Sequence, residues 1–216
     1  MIKEETLEPV DIENIYRTLP PEEIPWNIET PPKTLVDLVE SGKVKPCKTV
    51  DLGCGAGYYA IYLASRGFDV IGIDISPTAI KIAREKAEKE NVKCIFIVAD
   101  VLGSLYEVKD TFDFAFDWSL LHHVYPEYRK KYIENVNRIL NSGGKYLSVC
   151  FSEKDPHFSG SGKYRETPLG TALYFSSEEE LKELFSACFK IIELKTIEIE
   201  GKFSPHFANY VFMEKK

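Results

Sequence analysis

Residues 49–74, TVDLGCGAGYYAIYLASRGFDVIGID, read as a short buried strand, a glycine-rich turn, a helix and a second strand that ends in an acid. Gly53, Gly55 and Gly57 allow the turn backbone angles closed to residues with a Cβ, and let a ligand come close to the main chain. The helix that follows, expected at 58–66, presents its unpaired N–H groups to that same place. Asp74 closes the second strand, where a carboxylate can accept hydrogen bonds from the two hydroxyls of a ribose. This unit predicts a nucleoside site.

Outward from it, strands are expected at 92–99, 112–116 and 145–151. A helix is opened by Ser76-Pro77, and a further helix at 127–140 is closed by Asn141-Ser142-Gly143-Gly144. Strands and helices alternating at this rhythm imply an α/β fold, a mostly parallel sheet with helices on both faces and right-handed crossovers. Residues 152–175, rich in Ser, Gly, Pro and charge, predict a long substrate-side loop, of a kind that is functional or mobile. Ser176-Ser177-Glu178-Glu179-Glu180 starts a capped helix, and 189–199 with 207–212 read as antiparallel neighbours. Ahead of the sheet, Ile12, Ile15, Tyr16 and Leu19 predict an amphipathic helix stopped by Pro20-Pro21. A proline-rich stretch and a helix at 32–41 come next. The organisation expected is an arm, 1–46, covering the site of a domain, 47–216.

At 216 residues and a net charge of −7, the chain suits one α/β domain and disfavours a nucleic-acid surface, which needs a clustered positive field. Five scattered cysteines without zinc spacing predict reduced thiols and no metal site. The first ten residues have no apolar signal-peptide core, and no run reaches membrane-span length, so a cytoplasmic protein is expected, as monomer or homodimer.

Gly55-Ala56-Gly57-Tyr58-Tyr59-Ala60 satisfies the dinucleotide fingerprint G-x-G-x-x-A, with Asp74 at the expected distance, so an NAD-type oxidoreductase competes. Asp51 argues against it. A carboxylate just before the glycines repels a pyrophosphate and attracts a sulfonium or ammonium group. Acids also end the second and third strands, Asp74 and Asp100, which suits a ribose and an exocyclic adenine amine. The chain closes with a helix and two antiparallel strands, where a dinucleotide fold has its second mononucleotide half.

Five ordered motifs carry a family resemblance: Asp51-Leu-Gly-Cys-Gly-Ala-Gly57, Gly72-Ile-Asp74-Ile-Ser76, Ala99-Asp100-Val101, Phe112-Asp-Phe-Ala-Phe-Asp117 and Arg138-Ile-Leu-Asn-Ser-Gly-Gly144. In these the chain resembles the class I S-adenosylmethionine-dependent methyltransferases. The resemblance implies a Rossmann-like seven-stranded sheet with an antiparallel last strand, and S-adenosylmethionine as cofactor with S-adenosylhomocysteine as product. It places Asp51, Gly53 and Gly55 beside the methionyl moiety, with Cys54 in the same turn. Asp74 falls on the ribose, Ile75 on the adenine, Asp100 on its amine with Val101 supplying backbone, and Asp117 with Trp118 near the sulfonium. Ile24-Pro25-Trp26-Asn27 and Thr30-Pro31-Pro32 are similar to the arm of the thiopurine, thiol/halide and tellurite methyltransferases, although Asn27 replaces that arm's acid. Trp26 is read either as an anchor for the arm or as an aromatic wall over the cofactor. The acceptor expected is a small molecule, among them a thiol, halide or metalloid. His122, His123 and Tyr125, just beyond the fourth strand, are the candidate catalytic residues. A cofactor-binding protein without catalysis is the further alternative.

Overall fold

The chain is described here as a computed structural model covering residues 11–105, 108–158 and 162–216. Its strands are β1 Lys48–Leu52, β2 Asp69–Asp74, β3 Ile95–Val98, β4 Phe112–Trp118, β5 Leu140–Phe151, β6 Tyr164–Glu166, β7 Ala172–Tyr174, β8 Phe189–Ile199 and β9 His206–Lys215. Seven of them form one sheet in the order β3-β2-β1-β4-β5-β9-β8, while β6 and β7 pair as a separate hairpin. The pairs β1–β2, β1–β4, β2–β3 and β4–β5 are parallel; β9 runs antiparallel to both β5 and β8. The expected α/β sheet with an antiparallel last strand is therefore present, and that last strand inserts between β5 and β8.

Helices cover both faces because the buried strands alternate. Ala115 of β4 faces the cluster built with Tyr132, Ile133 and Val136 of α5 (Pro126–Ile139) and Leu181 and Phe185 of α6 (Glu178–Ser186). Phe114 and Phe116 face the opposite cluster, with Leu35 and Leu38 of α2 (Lys33–Glu40), Ala60 and Leu63 of α3 (Tyr58–Ser65), and Ile80 and Ala83 of α4 (Pro77–Lys89). Helix α2 thus flanks the sheet, although its residues fall in the segment read as the arm. Ser177 and Glu180 complete the capping box at the start of α6.

Two local readings are corrected. Helix α5 ends at Ile139, and Leu140 is already extended and paired with Phe112. Asn141–Gly144 is therefore a bulged entry into β5, not a helix cap, with Gly143 at φ +73° taking up the irregularity. The long loop also contains the β6–β7 hairpin, whose three-residue strands are too short to show a period of two.

Ahead of the sheet, α1 (Ile12–Thr18) rests on α4, with Ile15, Tyr16 and Ile24 packed beside Ala79 and Ile82. Its Glu13 carboxylate clamps the start of α4, accepting hydrogen bonds from Ser76 Oγ at 2.6 Å, Thr78 Oγ1 at 2.6 Å and Thr78 N at 3.1 Å. Those hydroxyl bonds to its charged form hold the Glu13 carboxyl below its ordinary range.

Candidate active site

Neighbouring strands β1 and β4 leave the sheet's middle with their connections running to opposite sides, the switch point at which open α/β sheets bind ligands. The glycine turn lies there, and two of its glycines are required by what sits above them. Gly53, at φ +70°, has Leu120 pressed so close that a Cβ would stand 2.8 Å from its Cδ1. At Gly55, φ +51°, a Cβ would stand 2.6 Å from Tyr16 Oη. The arm's tyrosine therefore roofs the turn.

Asp51, one residue from the end of β1, is buried, and its Oδ2 has no hydrogen-bond partner among the described residues. Burial, with repulsion from Asp74 and Asp117 added, pushes its carboxyl well above the ordinary carboxylate range. Asp74 is also buried. It accepts Gly55 N at 2.8 Å and Ser76 N at 2.9 Å, fixing the turn while leaving lone pairs on both oxygens. Ile75 beside it is 57% exposed, an apolar face next to the acid. Asp100 is exposed and accepts Leu102 N at 2.8 Å. The Val101 and Gly103 carbonyls are held by Asn135 Nδ2, each at 2.9 Å. A buried orphan carboxylate, a second acid on the turn and an apolar step between two acids fit a nucleoside that carries a positive charge.

Asp117 is placed differently from the others. Its side chain leaves the sheet on the α5 face, where it accepts the hydroxyls of Tyr132 at 3.0 Å, Ser148 at 3.0 Å and Tyr146. Its acceptor capacity is committed inside the core, because α5 brings a tyrosine over the strand end. Burial raises its carboxyl to about 6. A carboxyl raised in the folded state contributes stability below its unfolded value near 4, and that contribution is lost as pH rises through the folded value. Relative to Asp117→Asn, the wild type is expected to lose roughly 3 kcal/mol of stability between pH 4 and 7. Denaturant titrations at four pH values check this; a constant difference would contradict it.

Trp118, half-buried, meets Tyr59 edge to face at 6.0 Å. Beyond it, Ser119 adopts φ +68°, a sparsely populated conformation for a residue with a side chain, and a short 3-10 turn, Leu121–His123, follows. The two histidines separate there. His122 is buried, stacked on Phe151 at 4.3 Å, and its Nδ1 accepts the Phe151 N–H at 3.3 Å. His123 is half-buried with no hydrogen-bond partner among the described residues, and burial lowers its imidazole to about 4. Trp26 lies edge-on to both His123, at 6.3 Å, and Tyr16, at 6.2 Å, and donates its Nε1–H to Tyr16 Oη at 2.9 Å. These contacts fit the reading of Trp26 as an anchor for the arm, and set its edge beside His123. Buried Asn27 ties the arm to itself, donating to the Pro21 carbonyl at 3.1 Å. Tyr125 donates to the Ala172 carbonyl at 3.3 Å and so holds the β6–β7 hairpin.

Sequence reading missed Glu13, Leu120 and Ser119 as parts of this site. Glu13 is one of several charges on a short helix, Leu120 sits in an apolar run, and the angle at Ser119 has no sequence signal. Arg165 stands apart, its guanidinium donating to the carbonyls of Glu153, Asp155 and His157. Among the described residues no helix is long and apolar enough to cross a membrane.

Residues 49–144 match a family described as a methyltransferase domain. The chain is 33% identical over 146 residues to the 2-heptyl-1-hydroxyquinolin-4(1H)-one methyltransferase of Mycobacteroides abscessus, covering 65% of this chain and 63% of that protein. It is 33% identical over 118 residues to an uncharacterized methyltransferase of Schizosaccharomyces pombe, covering 55% of this chain and 80% of that protein. It is 28% identical over 151 residues to TehB of Haemophilus influenzae, a probable S-adenosyl-L-methionine-dependent methyltransferase, covering 69% of this chain and 49% of TehB. The TehB crystal structure aligns with a TM-score of 0.68 at 23% identity, over 88% of this chain and 64% of that one. The chain thus spans about half to two thirds of the length of the first curated relatives it matches.

Proposed function

We propose, from the premise that this chain belongs to the S-adenosylmethionine-dependent methyltransferase family, that it transfers a methyl group to a small-molecule acceptor. S-adenosylmethionine, when bound, supplies a methyl group already activated on a sulfonium. The chain's own residues supply charge, position and exclusion of water. Asp51 is the counter-charge to the sulfonium, and its unpartnered buried oxygen is the observation that carries this reading. Asp74 takes the ribose hydroxyls, Ile75 packs on the adenine, and Asp100 accepts its amine with Val101 supplying backbone. Gly53, Cys54 and Gly55 let the methionyl moiety approach the backbone. Tyr16 and Trp26 roof the site. A dinucleotide is disfavoured because its pyrophosphate would meet the Asp51 carboxylate.

Of the three candidate catalytic residues, His123 is the one whose ring makes no hydrogen bond among the described residues, and it lies edge-on to Trp26. We assign His122 and Tyr125 to positioning, since each is hydrogen-bonded to the main chain. An imidazole held near 4 is neutral at physiological pH but a weak base. This favours an acceptor that loses its proton readily, such as a thiol, or that has none to lose, such as a halide or a metalloid anion. The −7 charge supports the absence of nucleic acid from the reaction, and five free cysteines support a reducing, cytoplasmic setting, as monomer or homodimer.

A transfer screen over thiols, halides, metalloid oxyanions and small phenols, read by S-adenosylhomocysteine release, tests the proposal; no turnover with any class would count against it. In that screen His123→Ala is expected to lower turnover about tenfold or more without weakening cofactor binding. The wild type is expected to show no inflection between pH 5.5 and 8 from His123. Wild-type rates in the variant would remove this histidine from the mechanism.

A further inference from the structure

Outside the site described so far, a second cluster of ligating side chains lies where residues 152–158 meet the start of β9. Asp155, His157 and His206 place a carboxylate and two imidazoles with their ligand atoms within 4.8 Å of one another. The Asp155 side chain is fully buried; its Oδ1 stands 3.2 Å from His157 Nδ1 and its Oδ2 3.2 Å from His206 Nδ1. Ligands bonded at about 2.0–2.1 Å to a tetrahedral ion stand roughly 3.3 Å apart; each imidazole stands near that distance from its own carboxylate oxygen, and binding draws the three ligand atoms, now within 4.8 Å, slightly closer.

The carboxylate is held in place independently of the imidazoles, by His157 N on Oδ1 at 2.7 Å and Phe207 N on Oδ2 at 2.6 Å. Second partners of this kind orient the ligands of metal sites. The ligand-bearing loop is fixed in turn by Arg165 across three of its carbonyls, and the Phe158 ring stacks on His206 at 5.2 Å and 2°. Two imidazoles with one carboxylate suit zinc and similar borderline cations, whereas calcium and magnesium favour all-oxygen sets. The His157 side chain is 39% exposed, leaving an approach for the ion and for water at a fourth position.

We propose that Asp155, His157 and His206 form a three-ligand Zn²⁺ site that clips the substrate-side segment to β9. Phe151, stacked on His122, also lies 5.0 Å from His206, so the clip adjoins the wall behind the active-site histidines. Cysteine and histidine spacing pointed to no metal because the ligands come from two segments far apart in the chain, and one of them is an aspartate.

The test is calorimetric titration of chelator-treated full-length protein with Zn²⁺ alone, without cofactor or acceptor, so that its outcome is independent of methyl transfer. One ion per chain is expected in the wild type, with affinity at least about tenfold weaker in His157→Ala and in His206→Gln. Zn²⁺ at a hundredfold excess over its Kd is expected to raise the wild-type Tm by about 5–10 °C, and the His157→Ala Tm much less. His157 lies on the loop surface, and its variant's metal-free Tm reports whether it folds. Absence of saturable binding in the wild type, or equal stoichiometry and affinity in a folded His157→Ala, would overturn the site. Asp155 would then be an acceptor of imidazole hydrogen bonds only.

Discussion

In Asp51→Asn, S-adenosylmethionine is expected to bind about tenfold or more weakly, while S-adenosylhomocysteine loses less than about threefold. The substitution keeps the shape of the side chain and removes its charge. A sulfonium feels that loss and a thioether does not. The effect is large because Asp51 is buried near a strand end where solvent screens little, and no cation among the described residues has already neutralised it. The pH dependence follows with a definite sign. Burial and the nearby acids raise the Asp51 carboxyl, so below that raised value the cofactor-free protein carries it protonated. A bound sulfonium selects the carboxylate and a proton leaves. Affinity for S-adenosylmethionine therefore climbs with pH and levels off once the free protein is ionised; Asp51→Asn removes the climb. Titrations in buffers of different ionisation enthalpy measure both effects. Equal losses for the two ligands would show that Asp51 acts through shape alone.

The second large effect is expected in Asp74→Ala, where binding of both S-adenosylmethionine and S-adenosylhomocysteine falls by about a hundredfold or more. Hydrogen bonds to a charged partner are worth about 1.5–3 kcal/mol each, and a ribose offers two. Asp74 also accepts Gly55 N and Ser76 N, so its removal loosens the turn as well. Loss on both ligands distinguishes Asp74 from Asp51. The measurement belongs well below the variant's melting temperature, since two amides lose their acceptor. Unchanged affinity would remove Asp74 from the ribose.

Much of this was legible in the sequence. The glycine turn, the acids at 51, 74 and 100, and the strand-helix alternation are local features in which the chemistry of each residue dictates the backbone around it. The closing strands 189–199 and 207–212 were readable because no helical segment separates them, which makes them antiparallel neighbours. What was not legible depends on contacts between distant segments. The family resemblance implied Asp117 near the sulfonium, yet its carboxylate accepts the hydroxyl of Tyr132, one helix later, on the α5 face. His122 and His123 are neighbours of one type, and their environments are separated by Phe151, on which His122 stacks and from whose amide it accepts, and by Trp26, which meets His123. Glu13 clamping Ser76 and Thr78 joins residues more than sixty positions apart. The same limit hid Asp155, His157 and His206.

The central claim is that the Thr49 to Asp74 unit holds a positively charged, phosphate-free nucleoside. Titrating the wild-type protein side by side with S-adenosylmethionine, S-adenosylhomocysteine and NAD⁺ tests it most directly. The account predicts saturable binding of both sulfur compounds and none of NAD⁺. Binding of NAD⁺ with no binding of S-adenosylhomocysteine would contradict it.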